Sequence, residues 1–77
     1  MTAFATTMDY KAFNQYEPPR PLSVVLNGGT VTLHVRVTDT VDTTTAIDEG
    51  EHTIDVAGRE IKIVPTGGAV FNFGGGL

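Results

Sequence analysis

Cysteine and tryptophan are absent from the 77 residues, and Ser23 is the single serine. Without cysteine there are no disulfides and no thiolate metal sites, so a chain this short must hold together by its core or by self-association. Bases are scarce too. Five Lys and Arg stand against nine Asp and Glu, for a formal charge of −4. Phosphate-backbone binding needs clustered Lys and Arg, so nucleic acid is not an expected partner. No apolar run approaches the roughly twenty residues of a membrane span, and the N-terminus has no basic stretch leading into an apolar one. The expectation is a soluble, unprocessed chain with no membrane partner.

Alternation dominates what is present. Leu22, Val24 and Leu26 precede Asn27-Gly28-Gly29, and Val31, Leu33, Val35 and Val37 follow it, interleaved with Thr30, Thr32, His34, Arg36 and Thr38. Period two of this kind marks half-buried strands, and Asn-Gly or Gly-Gly supplies the positive φ of a primed hairpin turn. A loop at Gly28-Gly29 would set Leu26 opposite Val31, Val24 opposite Leu33 and Leu22 opposite Val35. A second hairpin is predicted over Thr53 to Val64, turning at Gly58-Arg59 in a type II′ turn. It pairs Val56 with Ile61, Ile54 with Ile63 and Asp55 with Lys62. A Thr66-Gly67-Gly68 loop then returns Val70 to Phe73 onto the same sheet, with Phe71 and Phe73 capping the aliphatic face. The fold class expected is all-β, a small barrel or sandwich built from consecutive hairpins, with an extended N-terminal arm.

The division follows composition: an aromatic arm and proline-rich joint over 1–21, a β domain over 22–73, and a glycine-rich tail over 74–77. Four of the six aromatics, Phe4, Tyr10, Phe13 and Tyr16, lie in the first sixteen residues. Asp9 is placed to cap a short helix with Tyr10, Phe13 and Tyr16 along one side. Glu17-Pro18-Pro19-Arg20-Pro21 contains a P-x-x-P pattern, read as a stiff spacer rather than a groove ligand, because proline stops helix and sheet alike. The arm has two available fates, folding back on its own core or docking on a partner. For the second, the binding residues are Phe4, Met8, Tyr10, Phe13, Tyr16 and Arg20, since aromatics supply large contact area.

Sites for chemistry are few. Asp39, Asp42, Asp48 and Glu49 in the Thr-rich connection over 39–50 form a loose group with Glu51 just after it, but their spacing is not that of a calcium loop, and a solvated acidic loop is the simpler reading. Within it, Val41-Asp42-Thr43-Thr44-Thr45 has the β propensity to add an edge strand. His34 and His52 lie far apart without thiolates beside them and read as outward strand residues rather than zinc ligands. Ser23 and the threonines lack the context of an activated nucleophile, and the glycine runs precede no helix and no Walker lysine. No cofactor, metal or catalytic residue is expected.

The polar start Met1-Thr2-Ala3, the Thr-containing arm, the proline joint and the cysteine-free β domain together resemble small bacteriophage capsid decoration, or head cement, proteins. The resemblance implies a structural virion protein that is no enzyme, a homo-oligomer, typically a trimer, seated on the major capsid or another virion protein. It also implies arms that order on binding and complete a sheet in the capsid protein. Strand addition suits such an arm because it uses backbone hydrogen bonds and no special side chains. The alternative is a small acidic inhibitor or adaptor that binds one partner through a strand edge or through Asp48, Glu49 and Glu51.

Overall fold

The computed structural model of the chain describes residues 6–74. Phe4 and residues 75–77 of the predicted tail lie outside them. Seven strands follow in order: β1 (Met8–Ala12), β2 (Arg20–Val25), β3 (Thr30–Arg36), β4 (Asp42–Ile47), β5 (Gly50–Ile54), β6 (Glu60–Thr66) and β7 (Val70–Phe73). They form two antiparallel sheets, ordered β1-β6-β3-β4 and β5-β2-β7, and neither closes into a barrel. The all-β class is as the alternation implies, and no helix occurs among the described residues.

The hairpins are where expectation and structure part. β2 does not pair with β3; it lies between β5 and β7, with Leu22 opposite Phe73 and Val24 opposite Phe71. β5 does not pair with β6, and β6 does not pair with β7; β6 lies between β1 and β3, with Ile63 opposite Leu33. Each of the three predicted tight turns therefore carries the chain from one sheet to the other. The turn chemistry itself is present. Asn27 (φ 47°) and Gly28 (φ 81°) both take positive φ, and Gly29 N–H donates to Leu26 C=O at 2.7 Å, as a type I′ turn requires. At Val56–Arg59 the glycine with positive φ, Gly58, occupies the second central position, so the turn is not II′. Asp55 consequently faces Arg59 at 3.8 Å, not Lys62. Among the described residues the one hairpin of consecutive strands is β3 to β4, in the stretch read from sequence mainly as loop, where the possible edge strand becomes β4.

Two of the crossing turns run side by side. Antiparallel pairing puts Thr30 beside Thr66 in one sheet and Val25 beside Val70 in the other, so the turns at 26–29 and 66–69 bridge the sheets as neighbours. They touch closely. A Cβ on Gly29 would lie 1.9 Å from the Thr66 carbonyl oxygen, and one on Gly68 would lie 3.1 Å from that of Asn27. Asn27 Nδ2 donates to Gly68 C=O at 3.4 Å, and the Thr30 and Thr66 hydroxyls bond each other.

A single core draws on both sheets. Leu22, Val24, Ile54, Phe71 and Phe73 come from β5-β2-β7; Met8, Val31, Leu33, Ile61 and Ile63 come from the larger sheet. Phe13, Val56 and Ala69 close it from the connections. Val37, assigned by alternation to the apolar face, is exposed at the end of the β3–β4 hairpin.

The expected helix from Asp9 is strand β1, and Asp9 Oδ1 instead accepts from the Tyr10 N–H. Rather than extending away, the segment pairs with β6, with Met8 opposite Ile63 and Ala12 opposite Glu60. Phe13 N–H then donates to Arg59 C=O at 2.9 Å. Met8 and Phe13 are buried, and the Phe13 ring meets Phe73 edge-on at 6.1 Å. Of the two fates open to the arm, folding back is the one seen over 8–13. The proline joint ends where β2 begins: Pro21 is the second residue of its strand, near the start where a missing N–H is tolerated. Its carbonyl accepts from Gly74 N–H at 2.7 Å.

Because Phe13 fills the core from outside the predicted β domain, Phe13→Ala is expected to destabilise the protein by about 3–5 kcal/mol in urea denaturation. A change within about 0.5 kcal/mol would mean that the aromatic segment is not part of the core.

Candidate interaction surface

The outward face of the four-stranded sheet carries a connected polar belt. Strand alternation puts His34, Arg36, Glu60, Lys62, Asp42 and Thr44 on the side opposite Leu33, Ile61 and Ile63. The irregular register between Met8 and Lys11 is a bulge of the kind that re-aims a side chain, and Tyr10 sits within it. Its ring lies over the Arg36 guanidinium, 3.9 Å from ring centroid to Cζ, with Lys62 Nζ at 5.5 Å. The Tyr10 hydroxyl donates to the Asp42 carboxylate. Asp42 also lies 3.8 Å from His34 Nδ1, and Arg36 donates to Glu60 at 3.1 Å. A contact from β1 to β4 thus spans the whole sheet.

The Tyr10 phenol is poorly suited to proton transfer near neutral pH. The hydrogen bond to Asp42 is the main cause holding the Tyr10 phenol above the ordinary tyrosine range, with slight desolvation and the Asp42 charge adding to it and Arg36 opposing it. A general acid or base works best with a pKa near the operating pH, and this shift moves a phenol further away. The arrangement is a tie across the sheet.

Strand edges offer a different chemistry, because an edge presents unpaired N–H and C=O groups that template another strand. Three of the four edges carry a device that blunts this. β1 is bulged and bears Lys11, β7 has four residues, and β5 opens with Gly50 at φ 120° and carries Glu51. β4 has none. Its six residues pair with β3 without interruption from Asp42 to Ile47, and all except Ile47 are exposed. It contains no Lys, no Pro and no bulge, and its only charge, Asp42, is engaged by Tyr10. Thr43 and Thr45 share the core-side parity of Val35 and Leu33 yet stand exposed, so β4 overhangs the core. Val37 and Val41, 63% and 52% exposed, extend an apolar tip beside it.

The residues predicted for partner binding do not share one surface. Met8 and Phe13 are core residues of this chain, and Tyr10 belongs to the polar belt. Tyr16 is 84% exposed beyond β1. Arg20 lies over the Phe13 ring at 5.4 Å and reaches Glu17 at 3.2 Å and the Gly74 carbonyl at 3.3 Å. The acids of the 39–50 connection and Glu51 beyond it disperse: Asp42 joins the belt, while Glu49 accepts from Leu26 N–H and Glu51 from the Ser23 hydroxyl. No group of three metal-ligating side chains occurs among the described residues. His52 bonds the Asp48 carbonyl at 2.7 Å. The β4 edge was signalled in sequence only by its run of β-branched threonines.

Comparison of the chain with protein-family models, with curated proteins and with solved structures finds no match.

Deprotonating Tyr10 would remove the donor to Asp42, so a folded-state pKa above the unfolded one makes this tie fully present below the unfolded value and lost as pH rises through the folded one. In an ultraviolet titration Tyr10 is expected to ionise above the ordinary range, and Asp42→Ala to return it downward. A Tyr10 titration unchanged by Asp42→Ala would show that the hydroxyl bond does not form.

Proposed function

We propose that this protein is a structural binding module rather than an enzyme, an open two-layer sandwich that joins a protein assembly by strand addition. The observation that carries the reading is the β4 edge: six regularly paired residues, five of them exposed, without a lysine, proline or bulge to discourage a further strand and with the one charge, Asp42, engaged by Tyr10. An incoming strand would extend the sheet to five and cover Val37 and Val41 at its end. Affinity then comes chiefly from backbone hydrogen bonds, so no residue with special chemistry is needed.

The assembly we assign is a virion, with the chain decorating or cementing the major capsid protein or another shell protein. The support is the layout of arm, proline joint and small β domain together with an edge suited to lattice contacts. Ordering a host strand costs on the order of 1–2 kcal/mol per residue, and repeated placement on a symmetric lattice offsets this through effective concentration. A trimer is the oligomer that the resemblance implies. The attachment surface differs from the one expected from the arm, since two of its apolar anchors are spent inside this chain.

Thr43→Lys with Thr45→Lys places charge on the edge without touching the core. The double variant is expected to keep wild-type stability within about 0.5 kcal/mol and to stop co-sedimenting with protein shells purified from the source of the chain. Undiminished co-sedimentation of the folded variant would overturn the proposal.

A further inference from the structure

The opposite side of the molecule holds a separate feature. On the outward face of β5-β2-β7, Ser23 lies between Glu51 and Asn72, and Val25 lies opposite Val70. These residues, with Glu49 ahead of β5, line an open groove of about 510 Å³. Its floor is aliphatic where Val25 stands 45% exposed, and its rim on the β5 side is acidic. Gly50 is part of that rim, and the space where its Cβ would stand is open. No Lys or Arg lines the groove. Among the described residues the rim acids bond uncharged donors: Glu49 the Leu26 N–H at 3.1 Å, and Glu51 the Ser23 hydroxyl at 3.4 Å. Each carboxylate has further acceptor capacity, because two oxygens offer about four lone-pair sites.

We propose that this groove docks an extended cationic segment of a partner protein, one alternating Lys or Arg with small aliphatic residues. The two features of the groove select the two halves of that alternation. A strand has a period of two, so aliphatic side chains on one face can meet Val25 and Val70 while the neighbouring cations reach Glu49 and Glu51. Lys and Arg suit this because their aliphatic stems cover apolar surface while the charge stays at the rim. An acidic or purely apolar segment would fit only part of the lining. The site is on the other sheet from β4, and the inference does not rest on the β4 reading.

The test is a methyl-resolved NMR titration of the full chain with acetyl-Lys-Val-Lys-Val-Lys-amide, and with the counterpart carrying Glu in place of Lys. The cationic peptide is expected to shift the Val25 and Val70 methyls saturably, with affinity falling as salt is raised. Glu49→Gln combined with Glu51→Gln, which keeps shape and hydrogen-bond acceptors, should weaken it by about tenfold or more. The Thr43→Lys, Thr45→Lys variant should bind it unchanged, so the groove and the β4 edge are judged separately. Absence of shifts at Val25 and Val70, equal binding of the acidic peptide, or indifference to the double Gln substitution would each overturn the proposal.

Discussion

The architecture depends on two turns that cross between the sheets in contact with each other. Gly29 lies so close to the Thr66 carbonyl that a Cβ would come within 1.9 Å of it, a separation at which backbone must move. Glycine is required there by the neighbouring turn, while at Gly28 it serves the positive φ of its own turn. Pairing at both ends, Val25 with Val70 and Thr30 with Thr66, holds the turns in this position. Once they are fixed, β2 and β7 must share one sheet and β3 and β6 the other. The remaining strands then have only edges to occupy: β5 beside β2, β4 beside β3, and β1 beside β6. A core this small closes because one more aromatic, Phe13, reaches Phe73 from the segment after β1.

The same dependence explains how far the fold could be read from the chain. Alternation correctly marks the inward set, with Leu22, Val24, Val31, Leu33, Ile54, Val56, Ile61, Ile63, Phe71 and Phe73 all buried. It does not say whether two strands joined by a tight turn lie edge to edge or face to face. Leu22 and Val24 meet the apolar side chains of β3 equally well across a core as along a ladder. Asn27-Gly28 favours a I′ turn, and that turn forms, yet its use in hairpins is a statistical association that the neighbouring Gly67-Gly68 turn overrides here. The aromatic segment has two fates in the sequence for a related reason: choosing between them depends on the free edge of β6, which only the three-dimensional arrangement reveals. The β4 edge is partly legible in Val41 to Thr45, but its lack of protection depends on knowing that no strand among the described residues pairs beyond it.

Function follows from what the two sheets leave open. The larger sheet secures its outward face by the Tyr10, Asp42 and Arg36 contacts and leaves an edge; the smaller sheet leaves a groove with an acidic rim. Both are the surfaces proposed to take extended chain, and they lie on different sheets. A module of this kind can join two partners, or two copies of one, without bringing reactive groups together. The closely packed Gly29 and the buried Phe13 support the scaffold, while the contacts proposed for partners use ordinary Thr, Val and Glu side chains.

Backbone nuclear Overhauser effects in uniformly labelled protein test the sheet assignment most directly. The account predicts cross-strand contacts linking Val24 with Phe71 and Ser23 with Asn72, and Thr32 with Val64. It predicts no ladder joining the backbone of Leu22, Val24 and Leu26 to that of Val31, Leu33 and Val35. Observation of that second ladder would restore the hairpin and contradict the crossing turns on which the rest is built.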